Sequence, residues 1–147
     1  MSRGSSVTLD FRSSLDMLEL VQAVSDHIGR IARLDEESLH WMGVAVRECV
    51  INAIRHGNQN DDSKRVHLEF TTLDGDAGPG IAIRVRDEGR GFDPASLADC
   101  RAPENLLKGS GRGIFLIRSF MDELELRRAP EGGMEVVMVK RAQPQQA

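Results

Sequence analysis

Residues 65–92 read RVHLEFTTLDGDAGPGIAIRVRDEGRGF. Val66, Leu68 and Phe70 alternate with polar neighbours, and Ile81, Ile83 and Val85 do the same, so each run predicts a strand with one buried face. Asp74, Gly75, Asp76, Gly78, Pro79 and Gly80 punctuate the join, which predicts a hairpin and antiparallel neighbours. Outward from this hairpin the same alternation recurs at Val7, Leu9 and Phe11, at Leu124 and Leu126, and at Val136 with Met138, the last pair of runs joined by a second turn at Pro130, Gly132 and Gly133. Helical spacing appears in between. Leu15, Leu18, Val21, Val24, Ile28 and Ile31 predict a first helix, with Ser13 or Ser14 as its cap. A second is expected from Asp35 to His56, stopped by Gly57, and a third, almost wholly apolar, from near Gly113 through Phe120. Every strand alternates, so one sheet face carries the core and helices cover that side only. The expected fold is an α+β two-layer sandwich with a mixed, mostly antiparallel sheet, not a doubly wound parallel one.

The chain has 147 residues, enough for one domain with its own core, here expected over residues 7–140 with flexible termini at 1–6 and 141–147. Nineteen Lys and Arg stand against 23 Asp and Glu, a net charge of −4 with mixed signs, which argues against direct nucleic-acid binding. Cys49 and Cys100 lack zinc-ligand spacing and read as reduced thiols. No segment approaches the roughly 20 apolar residues that span a bilayer, so the expectation is a cytoplasmic protein with no membrane partner.

Three polar clusters sit where a core pattern would not put them. On the second helix Glu48, Asn52 and His56 fall at i, i+4 and i+8, a stripe that sets a carboxylate beside an amide oxygen and suits a proton acceptor next to a hard Mg2+ ligand. The second cluster, Asp87-Glu88-Gly89-Arg90-Gly91-Phe92, follows a strand directly. Its glycines let backbone approach a ligand while the Asp87 carboxylate is fixed to accept from an exocyclic amine. The third, Lys108-Gly109-Ser110-Gly111-Arg112-Gly113, opens the third helix, where free N–H groups and the helix dipole favour phosphate. It is neither a dinucleotide fingerprint, because Ile114 stands where glycine is needed, nor a P-loop, because the Gly-Lys-Ser order is reversed. Trp41 reads as a packing residue, His27, His40 and His67 as surface or boundary residues, and Cys49 as buried filler.

In this order the clusters resemble the ATP site of the superfamily that holds gyrase, heat-shock chaperones, histidine kinases and mismatch-repair ATPases. The run from Gly111-Arg112-Gly113-Ile114 to Ser119-Phe120-Met121-Asp122-Glu123 looks especially like the anti-sigma factor serine kinases. The resemblance implies ATP and Mg2+ as cofactors. Asn52 would be the metal ligand, Glu48 the catalytic general base, and Asp87 the acceptor for the adenine amine, with Gly89 and Gly91 lining the pocket. It further implies that His56, Lys108, Gly109, Ser110, Gly111, Arg112 and Gly113 contribute to nucleotide binding, and that residues from about Asp99 to Arg112 form a lid. One position departs from the pattern: Met134 follows Gly133 where many relatives carry a Thr whose hydroxyl supports the adenine-binding Asp, and water or Ser110 are the substitutes considered.

The function implied is a serine kinase that phosphorylates an anti-anti-sigma (STAS-type) partner and otherwise sequesters a sigma factor, as a homodimer. The alternatives are a non-catalytic nucleotide-dependent binding module of the same fold, and the detached catalytic domain of a histidine kinase, which would need a phosphoacceptor histidine on a separate dimerisation helix.

Overall fold

The computed structural model describes residues 4–75, 78–89 and 119–142. Strand β1 (Ser6–Arg12) leads through a 3-10 turn (Leu15–Met17) to helix α1 (Leu18–Ile31), then helix α2 (Glu36–Asn52) and a wider π-type turn (Ala53–Gly57). Strands β2 (Arg65–Gly75), β3 (Gly78–Arg86), β4 (Glu123–Arg128) and β5 (Met134–Arg141) complete one sheet in the order β1-β2-β3-β5-β4. Both expected hairpins are present, β2 with β3 and β4 with β5. The expected mostly antiparallel sheet is antiparallel at every pairing among the described strands.

The core lies where the alternation put it. Val66, Leu68, Phe70, Ile81, Ile83 and Val85 are buried against Val21, Ile28, Leu39, Met42, Val46 and Val50 of the two helices. Each such side chain contributes about 1.5–3 kcal/mol relative to exposure. The helices cross closely at Gly29, where a Cβ would come 2.4 Å from Leu39 Cδ2 and 2.8 Å from Met42 Cε. Ser14 caps the turn before α1, its Oγ accepting from the Asp16 N–H at 3.3 Å, and Asp35 Oδ1 caps α2 by accepting from the Ser38 N–H at 2.7 Å. Trp41 packs as expected, stacked on Phe120 with ring centroids 4.1 Å apart.

Two expectations about the second helix are corrected. The α-helix of the second helical segment ends at Asn52, not His56, and the chain widens there into a π-type turn closed by the Asn58 N–H donating to Ala53 O at 2.8 Å. Gly57 does not adopt the left-handed backbone of a helix-stopping glycine. At the ends of the sheet Ser6 pairs with Thr71, Arg141 pairs with Gly80, and the Ala142 N–H donates to Pro79 O at 2.8 Å. Pairing of these edge residues satisfies backbone groups that the low hydrophobicity of the termini did not reveal. The third helix lies outside the described residues, apart from Ser119 and Phe120.

On the sheet face away from the helices Glu135 is buried, clamped between the Arg84 and Arg127 guanidiniums, the latter donating from Nε at 2.5 Å. Two cations around one carboxylate let an ion sit out of water.

Cys49 is buried, with its Sγ 3.8 Å from Met138 Sδ, and loss of water pushes its thiol up to about 12. Thiolate is the reactive form, so a thiol held this high is protected in the folded chain. In a Cys100→Ser background Cys49 is expected to resist a thiol-modifying reagent at about pH 8 and to react within the dead time once urea unfolds the chain. Equal rates in the folded and unfolded chain would contradict this burial.

Candidate functional site

Asn52, on the last turn of α2, is 5% exposed. Its Nδ2 donates to Glu48 O at 2.8 Å, and its buried Oδ1 has no partner among the described residues. An unsatisfied buried acceptor costs about 1–3 kcal/mol, so it persists where something else completes it. A neutral amide oxygen of this kind suits a hard cation. Glu48 lies one turn earlier and is half-buried, and among the described residues no hydrogen bond or ion pair engages its carboxylate. A carboxylate without a cation at its side remains free to accept a proton.

Asp87 follows the last residue of β3 and is 6% exposed. Its backbone N–H donates to Met134 O at 3.0 Å. Its Oδ1 accepts from the Gly89 N–H at 2.9 Å and from the Met134 N–H at 3.1 Å. With Oδ1 occupied twice, Oδ2 is the oxygen left for a ligand, and it faces Gly57. Burial is the main influence on this carboxyl and pushes its pKa up, opposed by the two backbone N–H donors. The raised pKa means that the ionised group costs the folded state stability near neutral pH, a cost relieved as pH falls through that pKa.

Three glycines crowd this carboxylate. A Cβ on Gly57 would lie 2.0 Å from Asp87 Oδ2, one on Gly133 2.0 Å from Asp87 O, and one on Gly89 1.9 Å from Gly57 O. Gly133 also has φ of +83°, which favours glycine on its own. The end of the α2 segment, the turn after β3 and the β4–β5 hairpin therefore meet at one point.

The sequence-expected residues divide as follows. Glu48, Asn52, Asp87 and Gly89 lie along this one end of the molecule. His56 does not continue their stripe: the π-type turn rotates it, and it is exposed. Gly91, Lys108, Gly109, Ser110, Gly111, Arg112 and Gly113, with the expected lid, lie outside the described residues. The departure at Met134 has a structural answer, because the support for Asp87 comes from the Met134 backbone N–H, which any residue but proline supplies.

Sequence reasoning missed several participants. Gly57 and Gly133 were read as punctuation, whereas close approach explains both. His67, taken as a boundary residue, sits with Nδ1 2.8 Å from Asp10 Oδ1 and Nε2 2.7 Å from Glu88 Oε2. Asn58 is fully buried and bonds the turn after β3. An asparagine directly after a helix end, prone to bond backbone, was the signal available for it.

Comparison with known proteins identifies the family. The histidine kinase-like ATPase domain matches residues 11–140. The chain belongs to that family. Among its curated relatives, an anti-sigma F factor of Clostridium perfringens is 35% identical over 117 residues, covering 76% of this chain and 79% of the relative. An anti-sigma F factor of Oceanobacillus iheyensis is 34% identical over 116 residues, 75% of each chain. The serine-protein kinase RsbW of Staphylococcus epidermidis is 27% identical over 135 residues, 87% of this chain and 81% of the relative. These relatives set the chain within the anti-sigma kinase branch, and membership of the ATPase family carries the use of ATP. Among the described residues no helix is long and apolar enough to cross a membrane.

Replacing Asp87 by Asn removes a buried charge and exchanges one of its two acceptor oxygens for a donor amide. The Asp87→Asn chain is expected to melt, without nucleotide, at or above the wild-type temperature while binding ATP at least ~10-fold more weakly, about 1.4 kcal/mol. A lower melting temperature with unchanged ATP affinity would contradict the assignment; differential scanning calorimetry and calorimetric titration measure the two.

Proposed function

We propose that this chain is an ATP-dependent serine kinase that phosphorylates an anti-anti-sigma protein and, when that partner is not engaged, sequesters a sigma factor. The observation that carries the reading is the pairing on one helix of the Glu48 carboxylate with the buried oxygen of Asn52, neither of which has a partner among the described residues. Binding alone needs no base beside the phosphates, so Glu48 favours catalysis over the purely clamping module. The names of the relatives, anti-sigma F factor and serine-protein kinase, support both halves of the proposal.

Asp87 Oδ2 accepts from the exocyclic amine of adenine, held in line by the backbone N–H groups of Gly89 and Met134. Asn52 Oδ1 is the ligand proposed for Mg2+, which when bound neutralises charge on the phosphate oxygens. Glu48 takes the proton of the partner's serine hydroxyl as that oxygen bonds to the γ-phosphorus and the bond from γ-phosphorus to the bridging oxygen of ADP breaks. Gly109, Gly111 and Gly113, with Lys108, Ser110 and Arg112, are proposed to hold the phosphates at a helix start, while Gly91 lines the base pocket. Exposed His56 is proposed only as an outer contact. A homodimer is proposed as the working assembly, and the edge strand β1 offers unpaired backbone for it.

Glu48→Gln is expected to lower phosphate transfer from labelled ATP to a candidate anti-anti-sigma partner by at least ~100-fold, the usual range for a lost general base, with ATP affinity within ~3-fold of wild type. Asn52→Ala is expected to weaken Mg-ATP binding and to remove the dependence of affinity on magnesium. Wild-type transfer in Glu48→Gln would remove the base assignment, and intact magnesium dependence in Asn52→Ala the ligand assignment. Tight partner binding by the wild-type chain with no label transferred would favour the clamping module.

A further inference from the structure

Asn58 is the first residue beyond the π-type turn, 0% exposed, and every hydrogen-bonding atom of its side chain is used. Nδ2 donates to Ser13 Oγ at 2.8 Å and to Arg65 O at 3.0 Å, and Oδ1 accepts from the Glu88 N–H at 2.7 Å. Its backbone N–H closes the π-type turn onto Ala53 O at 2.8 Å. One side chain thus joins four pieces of chain: the residue after β1, the end of the α2 segment, the start of β2 and the turn after β3.

The turn after β3 needs this fastening. The β2–β3 ladder ends at the pair His67 and Arg86, so Asp87, Glu88 and Gly89 have no strand partner on that side. On the β5 side the Asp87 N–H donates to Met134 O. The Glu88 N–H is held by Asn58, and the Glu88 carboxylate is drawn the same way, accepting from the Arg65 N–H at 2.8 Å and meeting His67 Nε2 at 2.7 Å. Asp87 Oδ1 bonds within this turn to Gly89, so the aim of Oδ2 follows the conformation of the turn.

We infer that Asn58 is a positioning residue for base recognition: it fixes the spacing between the helix that carries Glu48 and Asn52 and the turn that carries Asp87. Two donors and an acceptor in one planar group are otherwise offered only by the carboxamide of glutamine, whose stem is one carbon longer. Aspartate keeps the acceptor for Glu88 and loses both donors; alanine loses all three bonds and leaves the part-buried Glu88 N–H without the Asn58 acceptor. A misplacement on the order of 1 Å degrades a hydrogen bond to the base far more than it degrades contacts spread over the phosphates. The signature of Asn58 is therefore selectivity among bases and not affinity alone. The inference rests on the reading that Asp87 accepts from the exocyclic amine.

The test measures equilibrium dissociation constants for ATP and for inosine triphosphate, which carries a carbonyl oxygen where ATP has the amine, at a temperature where each variant is folded by circular dichroism. The ratio of the two constants is compared among wild type, Asn58→Ala, Asn58→Asp, Asp87→Asn and Val21→Ala, the last a core truncation remote from the site. Expected is a preference for ATP in wild type and Val21→Ala that falls at least ~5-fold in Asp87→Asn and in Asn58→Ala, with Asn58→Asp between. A ratio preserved in both Asn58 variants but lost in Asp87→Asn overturns the role of Asn58 and leaves the base reading standing. A ratio preserved in Asp87→Asn overturns the base reading and this inference with it. Hydrogen exchange in the wild-type chain gives an answer even where the Asn58 variants do not fold: the Glu88 amide is expected to be protected to the level of the β3 amides, and exchange at the rate of an open loop overturns the proposal.

Discussion

A carboxylate taken out of water must be held by donors, and the geometry around Asp87 follows from that requirement. Two backbone N–H groups occupy Oδ1, one from the turn that Asp87 itself begins and one from the first residue of β5. Satisfying them draws the turn after β3 onto the β4–β5 hairpin, and the fit is close enough that Gly57, Gly89 and Gly133 have no room for a Cβ. Desolvation still pushes the Asp87 carboxyl up, so the site carries an uncompensated cost in the absence of ligand. Such cost is common where binding requires a group that the fold alone would not choose.

The same logic applies to Asn52. Its Nδ2 bonds the helix backbone and leaves Oδ1 buried and without a partner among the described residues. Asn52 ends α2 and Asp87 begins the turn after β3, and the π-type turn that runs from Asn52 to Gly57, which packs on Asp87, sets how far apart the two side chains lie. The sheet provides the fixed frame: Leu68, Phe70, Ile81 and Ile83 are fully buried beneath the helices, which leaves the strand ends free to be shaped by bonding and not by packing. Among the described residues the chemistry gathers at those ends and at the end of α2.

Much of this was legible beforehand because hydrophobic alternation and helical spacing report burial directly. Val66, Leu68 and Phe70 against Ile81, Ile83 and Val85 gave the central hairpin, and Asp-Glu-Gly after a strand gave the Asp87 turn. What stayed hidden depends on contacts between segments distant in sequence. Asn58 reaches Ser13 and Glu88, His67 lies between Asp10 and Glu88, and Glu135 is buried between Arg84 and Arg127 on a face that alternation marks as polar. The π-type turn was hidden for another reason: its residues keep helix-compatible composition, and only the backbone bonding shows the added width. The departure at Met134 looked like a loss because a side-chain hydroxyl was sought where a backbone N–H is the donor.

The central claim is that Asn52 and Asp87 serve one nucleotide. Side-chain and backbone amide resonances of the 15N-labelled chain, followed while Mg-ATP is titrated, test it most directly. The account requires the Asn52 side-chain amide and the Gly89 and Met134 backbone amides to move together along curves that fit a single dissociation constant. Movement of one set while the other stays still, or two separate constants, would contradict it.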